Sequence, residues 1–533
     1  MPLKMGPVLS FRGCDDGKWN LTAVIVSKDA PGPLTVGGQA VNAEVLWDNA
    51  KGGIAYRYGF AFPMAAAQTT GSYSVDGETY VVTIPAVGQS PTMAYGSCNG
   101  FSSLKLMKDV KDKNALWKAI ARQHGLPVPV TKDDENAPEC KTPTPYHLLL
   151  LGGDQVYADA MWETVPLMKQ WNEKSWAKAN AAPLTDKMQQ ALDDFYFDLY
   201  TSRWSQEEVA RVMACIPSIA MWDDHDFMDG WGSYPPERQD CDVFGGIWKS
   251  ASKAFAVFQQ HLKDGERRPG TIGVAAPDWW QQPDKQQTRT GAFSFAYIVG
   301  KVAILAVDMR SQRTEDTQVV GEKHWKEIYD WMDHVDRKIV FHILVMSSIP
   351  VIYPDFKLIE SLLGIFPGHQ DLEDDLRDHW NSPPHKGERT RLIKRLLDLP
   401  KRQIRTTLIS GDVHVAALGI VQALGQATAG PETVVNQLIS SGIVHPGPGG
   451  VVLFALQQLF DSDDQIDPFT VGRMTEIPGS KSKFIGNRNY MSLEPIEKED
   501  EINLWCHWMV VNEKFQFTKV IHSISQNANL PQG

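Results

Sequence analysis

Short apolar runs separated by glycine, proline and aspartate fill the first part of the chain. The clearest of these runs are Leu21–Val26, Tyr56–Phe62 and Tyr80–Ile84. Apolar stretches of this length, bounded by turn residues, are typical of β-strands. The Gly88–Pro91 stretch that follows them favours a linker. The pattern therefore predicts a small N-terminal β-sandwich domain over residues 1–90.

From Met93 onward, short apolar runs alternate with longer segments of helical periodicity. The apolar runs are Thr92–Tyr95, His147–Leu151, Ser218–Trp222, Val302–Val307, Ile339–Met346 and Thr406–Ile409. The helical segments are Leu104–Gln123, Lys187–Cys215, Ile247–Leu262, Glu322–Arg337 and Arg389–Leu399. Strands separated by helices predict an α/β layered domain over residues 91–533. Alternating apolar and polar residues over Leu504–Ile524 predict a C-terminal β-hairpin extension of that domain.

Four of the predicted strands end in clusters of polar residues. The clusters are GSCNG at 96–100, GGDQVYAD at 152–159, DDHDFMD at 223–229 and SGDVH at 410–414. Ligands of open α/β sheets bind beyond the carboxyl ends of the strands. We therefore expect the four clusters to converge on one crevice, although they lie far apart in the chain.

The third cluster concentrates acidic side chains. Asp223, Asp224, Asp226 and Asp229 lie within seven positions, and His225 stands among them. Acids this close repel one another unless a cation or several hydrogen-bond donors compensate the charge. A solvated acidic loop would also relieve the repulsion, but the apolar run that leads into the cluster indicates a buried approach, where unpaired charge is costly. His225 would then serve as a general acid or as a metal ligand.

The second and fourth clusters supply complementary ligand types. Asp154 offers a carboxylate that can bridge two cations, and Tyr157 offers a phenolate suited to Fe(III). Asp412 and His414 are two positions apart, so they share one face of an extended segment and can reach the same ion. Taken singly, a Gly-Asp turn or a tyrosine is most often structural. Their combination at strand ends favours a metal centre.

Cys98, in the first cluster, has two functional interpretations besides that of a small buried thiol. It is either a thiolate metal ligand or the nucleophile of an elbow formed by GSCNG. In the second case His414 and Asp412 would supply the base and the orienting acid. Thiol alkylation would then abolish activity, whereas chelation would abolish the activity of a metal enzyme.

Five motifs, taken together and in order, resemble those of a known family. They are GSCN at 96–99, GGDQVY at 152–157, WDDHD at 222–226, GDVH at 411–414 and SSGIVHP at 440–446. On these motifs, residues 93–446 resemble the alkaline phosphatase D (PhoD-like) family of the calcineurin-like metallophosphoesterase superfamily. The resemblance implies a four-layer α/β fold, in which a β-sandwich is flanked by helices and preceded by a β-rich N-terminal module. It also implies hydrolysis of phosphoric esters at a two-metal site.

The resemblance assigns roles to individual residues. The implied metal ligands are Cys98, Asp154, Tyr157, Asp224, Asp229, Asp412 and His414. Asp154 would bridge the two ions, Tyr157 and Cys98 would bind Fe(III), and Asp224 would hold the second ion. His225 matches the acid that protonates the leaving group, so His225, Asp154 and Asp224 are the predicted catalytic residues. The implied ions are iron and calcium, with manganese, magnesium and zinc as alternatives.

The chain also departs from the superfamily pattern. An opening DxH motif is absent, and Ser347-Ser348 stand where a histidine is expected after a strand. Asp229 stands where some relatives have asparagine. These changes make the predicted ligand set richer in oxygen, which favours Fe, Ca, Mn or Mg over Zn. Arg203 and Arg310 are each either phosphate contacts or members of structural ion pairs.

Charge and composition narrow the classes of partner. The formal net charge of -12 disfavours a nucleic-acid-binding protein, because such a chain repels phosphate backbones. The chain shows no apolar run long enough for a transmembrane helix and no apolar core of a signal peptide near its start. Its six cysteines are widely spread, so we expect reduced thiols and a cytoplasmic location.

The sequence therefore predicts a hydrolase acting on small phosphomonoesters, phosphodiesters or both. Its expected mechanism is attack of a metal-bound hydroxide on phosphorus at a two-metal centre. Two alternatives belong to other classes of protein. One is a cysteine hydrolase with Cys98 as its nucleophile, and the other is a binding module that kept the fold without the chemistry.

Overall fold

Two large β-sheets form the centre of the protein. The computed structural model describes residues 3–129, 138, 143–273, 291–352, 380, 382–424, 434–459, 463–498 and 501–524. The strands of the described residues are β1 Met5–Phe11, β2 Lys18–Ser27, β3 Leu34–Val36, β4 Gln39–Val41, β5 Glu44–Asn49, β6 Gly53–Pro63, β7 Thr69–Val75, β8 Glu78–Ile84, β9 Met93–Gly96, β10 Leu148–Gly152, β11 Ser218–Met221, β12 Phe295–Val299, β13 Val302–Val307, β14 His342–Ser347, β15 Arg405–Ser410, β16 Ala416–Ala423, β17 Val434–Ile439, β18 Asp464–Asp467, β19 Thr470–Thr475, β20 Phe484–Ile485, β21 Asn489–Lys498, β22 Glu501–Val510 and β23 Phe517–His522.

Helices flank these sheets. Those of the described residues are α1 Leu104–Asp109, α2 Ala115–His124, α3 Met161–Thr164, α4 Pro166–Asn172, α5 Trp176–Asn180, α6 Asp186–Trp204, α7 Glu207–Cys215, α8 Pro236–Gln239, α9 Asp242–Ala254, α10 Glu322–His334, α11 Pro383–Asp398 and α12 Gly450–Leu459. A π-helical turn, Phe255–Gln259, continues α9. Among the described residues, no helix combines the length and the apolar character needed to cross a membrane.

The first sheet has the strand order β23-β22-β21-β9-β10-β11-β1-β2-β6-β5. Its central strands β9, β10, β11 and β1 run parallel. The sequence of β10, LLLLG, is buried along its whole length, as expected for a parallel strand covered on both faces. The carboxyl ends of β9, β10 and β11 therefore lie at one edge of this sheet.

The second sheet has the order β12-β13-β14-β15-β17-β16-β19-β18, and β20 pairs with β16. Strands β13, β14, β15 and β17 are parallel. Their alternate side chains point to opposite faces. Ile304 and Leu344 enter the core shared with β10, whereas Leu305 and Val345 pack with apolar residues of α10 and α11.

The layers follow from these contacts. Helices α6 and α7 pack on β1 of the first sheet, the two sheets share one core, and α10 and α11 cover the outer face of the second sheet. Two packed sheets between helices form a sandwich of four layers. The predicted α/β sandwich flanked by helices is confirmed.

The N-terminal segment is β-rich, as predicted, but its strands are divided between two sheets. Strands β1, β2, β5 and β6 continue the first large sheet, and β3, β4, β7 and β8 form a separate four-stranded sheet. Ser10 of β1 pairs with Ser218 of β11, far along the chain. A break between sheets therefore does not coincide with residue 90, and the division into domains over 1–90 and 91–533 stays a prediction.

Two predicted helical segments are each divided in the structure. The segment predicted over Leu104–Gln123 forms α1 and α2, with Val110 in an extended conformation after α1. The segment predicted over Lys187–Cys215 forms α6 and α7. Gln206 is extended between them, and Glu207 and Glu208 begin α7, where the helix dipole favours acidic side chains. The C-terminal hairpin is present, because β22 and β23 pair antiparallel.

Candidate metal centre

All four predicted strand-end clusters meet where the two sheets approach each other. The backbone N–H of Gly153 donates to the carbonyl of Met221 at 3.0 Å, which joins the ends of β10 and β11. The N–H of Ile443 donates to Ser97 at 2.8 Å and joins the end of β9 to the second sheet. A Cβ at Gly411 would lie 2.0 Å from the Ser97 hydroxyl, so only glycine allows the fourth cluster to approach this closely.

The structure brings two sets of ligand groups together. Asp154, Asp224 and His225 form one set, and Asp223, Asp224 and Asp412 form the other. Within each set the ligand atoms lie within 4.8 Å of one another, and every member is buried. Asp224 belongs to both sets. The resemblance instead implied that Asp154 bridges the ions, and that role stays a prediction.

Asp154 has the environment of a metal ligand whose charge is only partly compensated. The Tyr157 hydroxyl donates to its Oδ2 at 3.3 Å, while its Oδ1 is buried and accepts no hydrogen bond from the described residues. Burial, and then the neighbouring carboxylates Asp224 and Asp223, raise the pKa of Asp154 well above its ordinary value, although His225 opposes the rise. A buried carboxylate oxygen without a donor, beside two further ligands, fits a bound cation.

Arg310 is the charged partner of the second set. Its guanidinium donates to Asp223 and lies 3.4 Å from an oxygen of Asp224 and 3.9 Å from one of Asp412. Burial raises the pKa of Asp223 to about 7 even though Arg310 opposes the rise. Burial also disfavours ionisation of Asp224, but Arg310 and His225 outweigh it, and the pKa of Asp224 is lowered. Arg310, left open by the sequence, is therefore an ion-pair partner of the acidic cluster.

His225 is held by a second carboxylate, Asp159. The distance from its Nδ1 to Oδ2 of Asp159 is 2.6 Å, and the other oxygen of Asp159 accepts the backbone N–H of Asp229 at 2.7 Å. Burial opposes the charged imidazolium, but Asp159 and Asp224 outweigh it and raise the pKa of His225 well above its ordinary value. The Tyr157 ring lies against His225 with centroids 4.5 Å apart. These contacts fix the imidazole beside the two ligand sets.

Asp226 joins the second and third clusters but lies outside both ligand sets. Its carboxylate accepts the backbone N–H groups of Gln155 and Val156 at 3.3 Å and that of Asp223 at 3.0 Å. Gln259 also donates to it at 2.9 Å. A carboxylate that accepts this many donors positions both loops, so Asp226 is a structural member of the acidic run.

The substitution Asp226→Ala is expected to lower the free energy of unfolding by about 3 kcal/mol, because it leaves several buried donors without an acceptor. Urea denaturation would measure the change. Asp48→Ala, at an exposed aspartate of β5, is the matched control and should change stability by less than about 0.5 kcal/mol. Equal effects of the two substitutions would contradict the structural role of Asp226.

Cys98 is fully buried in a left-handed conformation with φ of 50°. Its thiol lies 3.4 Å from the Ser97 hydroxyl and donates weakly to the carbonyl of Asp412 at 3.9 Å. Burial, followed by the charge of Asp154, raises the pKa of Cys98 well above that of a free thiol. A nucleophilic cysteine needs a lowered pKa, so this environment does not suit a nucleophile, and a thiolate ligand here would need the bound cation itself to deprotonate the thiol.

The remaining predicted ligands lie around the two sets without belonging to them, as far as the described residues go. His414 stacks on His445 with ring centroids 3.7 Å apart. Tyr157 contacts Asp154 through its hydroxyl. Asp229 contacts Asp159 through its backbone N–H. The metal-ligand roles predicted for Cys98, Tyr157, Asp229 and His414 stay predictions.

Sequence reasoning missed two residues of the site. They are Asp159 and His445, whereas Asp223 was named only as part of the acidic cluster and Arg310 only as a phosphate contact or a member of an ion pair. Asp159 and His445 stand inside quoted motifs, so their side-chain types were visible, but only the fold shows that they face the centre. Arg310 follows β13 by three positions, and its place after a strand end was the available signal. Arg203, by contrast, is structural, because its guanidinium donates to the backbone and side-chain oxygens of Asn99 at 2.8 and 2.5 Å.

Comparisons with known proteins agree with this architecture. A model of the PhoD related phosphatase family matches residues 137–367 and 357–500, more than half of the chain. The chain is 27% identical over 517 residues to the uncharacterized protein YGR266W of Saccharomyces cerevisiae, and the alignment covers 83% of this chain and 71% of that protein. A solved structure of PhoD matches with a TM-score of 0.50 and 12% identity, covering 97% of this chain and 88% of the other. At that identity the structural match bears on the fold alone.

The family match rests on a large, continuous part of the chain. The matched ranges include the clusters at 152–159, 223–229 and 410–414, and hence every member of both ligand sets. The resemblance stated from the motifs is confirmed. The chain belongs to the PhoD-related phosphatase family, and phosphatases are phosphoric ester hydrolases.

Proposed function

We propose that this protein hydrolyses small phosphate esters at a centre of two cations. The observation that carries the proposal is the pair of buried ligand sets that share Asp224. One ion would be held by Asp154 and Asp224 with the nearby Cys98, and His225 beside them would carry the proton for the leaving group. The other would be held by Asp223, Asp224 and Asp412. Oxygen-rich ligands of this kind favour iron and calcium, or manganese and magnesium.

The bound ions would supply Lewis-acid activation of water and stabilisation of negative charge on the phosphoryl group. The reaction joins a water oxygen to phosphorus and breaks the bond from phosphorus to the alcohol oxygen. The departing alkoxide takes a proton from His225, which regains one from solvent, while the attacking water releases one. Asp159 holds the imidazole in position through Nδ1, and such positioning is worth ~10–100-fold in comparable sites.

Activity assays with two substrates test this proposal. Nitrophenyl phosphate and bis(nitrophenyl) phosphate separate a monoesterase from a diesterase. We expect hydrolysis that a chelator abolishes and that iron, calcium, manganese or magnesium restores. Loss of activity on thiol alkylation with none on chelation would favour the cysteine hydrolase. A protein that binds no metal and cleaves neither ester would be a binding module.

The acid role of His225 has a signature that depends on the leaving group. For an alkyl phosphate, whose alkoxide is a poor leaving group, His225→Gln is expected to lower kcat by ~10²–10⁴-fold. For nitrophenyl phosphate the loss should be far smaller, because nitrophenolate departs without a proton. Asp159→Asn should likewise lower kcat more for the alkyl phosphate than for nitrophenyl phosphate, but by a smaller factor than His225→Gln.

The matched control is His334→Gln, at an exposed histidine on α10, which should change neither rate. Steady-state kinetics on both esters measure the effect. Equal losses on the two esters in His225→Gln would contradict general-acid catalysis and leave His225 with a metal-binding or structural role only.

A further inference from the structure

A cavity of about 360 Å³ opens beside the candidate metal centre. Its wall is formed by the loop after β9, by α1, by the segment from Val156 to Thr164 and by α6. The larger apolar and aromatic side chains that line it are Phe101, Met107, Val156, Tyr157, Leu199 and Val444. Pockets for small molecules are typically ~300–1,000 Å³ and mostly apolar with a few polar groups. This cavity lies near the lower end of that range.

The cavity and the metal centre share side chains. Tyr157 lines the cavity, and its hydroxyl donates to the candidate ligand Asp154. Asp159 lines it too, and its carboxylate holds Nδ1 of His225. A group seated in the cavity would thus lie against Tyr157 and Asp159, two side chains that contact His225. The alcohol oxygen of an ester leaves on the side of its proton donor, and His225 is that donor in the proposed function.

The charged groups deep in the wall already have hydrogen-bond partners. Arg203 donates to both oxygens of Asn99, and Asp159 accepts from Asp229 and contacts His225. Lys113 and Glu163, which also line the cavity, carry opposite charges. The wall therefore presents no excess of either sign to an occupant. An uncharged apolar group would bury apolar surface here without leaving a buried charge uncompensated.

We infer that this cavity binds the alcohol part of the ester, and that the preferred substrates carry an aromatic or short-chain apolar alcohol. The inference rests on the proposed function and deepens it. The volume excludes a polymer or a long acyl chain as the full occupant. The phosphoryl group would lie at the ligand sets, and the alcohol would extend past Tyr157 into the cavity.

A substitution that fills the cavity tests the inference. Ala160 lines it and is half-buried, so Ala160→Phe would occupy the space of the alcohol group. Thr164→Phe, from the exposed rim of the same cavity, is a second filling variant should the first fold poorly. Ala177→Phe, at an exposed alanine of α5 outside the cavity, is the matched control. The substrates are 1-naphthyl phosphate and methyl phosphate.

The quantity measured is kcat/KM for 1-naphthyl phosphate divided by that for methyl phosphate. We expect the filling variants to lower this ratio by about 10- to 100-fold, since hydrophobic pockets discriminate by that order, and Ala177→Phe to leave it unchanged. An unchanged ratio in a folded filling variant would overturn the inference. So would an equal loss on both esters.

Direct binding separates this inference from the proposed function. The fluorescence of 1-naphthol reports its binding without any turnover. Binding to the unsubstituted protein that Ala160→Phe or Thr164→Phe weakens at least 10-fold would support the cavity as a site even if neither ester were hydrolysed. Absence of binding by the unsubstituted protein would overturn the cavity assignment even if both esters were hydrolysed.

Discussion

Asp224→Ala is expected to abolish phosphate ester hydrolysis and to lower the metal content of the purified protein. Asp224 is the residue that both ligand sets share, so its loss removes a ligand from each ion. Loss of a residue that only holds a metal ligand in place lowers activity by ~10–100-fold. Asp224 is itself a proposed ligand, so we expect kcat to fall by more than about 100-fold. Elemental analysis and steady-state kinetics on nitrophenyl phosphate measure the two effects.

Asp224→Asn distinguishes a ligand role from a charge role. An asparagine keeps a carbonyl oxygen that is able to bind a cation. This variant should therefore retain more metal and more activity than Asp224→Ala. Asp240→Ala, at an exposed aspartate before α9, is the control and should retain both. If Asp224→Ala kept its metal and its kcat, the assignment of the ligand sets would be wrong.

Arg310→Met is expected to lower the free energy of unfolding more than the replacement of an exposed, ion-paired basic residue by methionine. Arg310 and Asp223 are both fully buried, and Asp224 and Asp412 lie beside the guanidinium. Removing one partner of a buried ion pair leaves an uncompensated charge and costs ~3–5 kcal/mol. The free energy of unfolding in urea, at a fixed concentration of metal ions, measures this loss.

A surface ion pair supplies the matched comparison. Lys326 pairs with Asp330 on α10, and their side chains are 75% and 54% exposed. Lys326→Met should cost less than ~1 kcal/mol, as exposed pairs usually do. A double variant, Arg310→Met with Asp223→Leu, should be less destabilised than the sum of its single variants, because it removes both charges. Strict additivity would show that Arg310 does not compensate Asp223.

Much of the candidate site could be predicted from the sequence because its residues follow the ends of predicted strands. The apolar runs that became β9, β10, β11 and β15 are each followed by a polar cluster, and strands of this type bind ligands beyond their carboxyl ends. Asp154, Asp224 and His225 consequently meet although β10 and β11 are separated by several helices. Residue type and position after a strand were enough to predict that these three side chains would lie together.

Other parts of the molecule depend on contacts that local patterns do not encode. Parallel pairing of β1 with β11 joins segments about two hundred residues apart, so the N-terminal strands looked like a separate unit. Arg310 became the partner of Asp223 only because β13 places it against the loop after β11. Asp159 was hidden for a related reason, since its partner His225 stands on another loop.

The roles of the individual aspartates in the acidic run could not be predicted from their spacing. Asp223, Asp224 and Asp226 are adjacent in the sequence, yet they do different work. Asp224 joins both ligand sets, Asp223 belongs to one set and pairs with Arg310, and Asp226 lies outside both and accepts backbone N–H groups that hold the loops together. Asp223 is extended and precedes the short helical turn that contains Asp224 and Asp226, so the three carboxylates start from different backbone conformations. Spacing alone could not separate these roles.

Anomalous X-ray diffraction from crystals of the full chain, recorded at the absorption edges of iron and manganese and at long wavelength for calcium, tests the metal centre most directly. We predict anomalous peaks within about 2.0–2.6 Å of oxygens of Asp154, Asp224 and Asp412, with Asp224 adjacent to two of them. Crystals that hold no ion among these carboxylates, grown from protein that still hydrolyses phosphate esters in the presence of a chelator, would contradict the account.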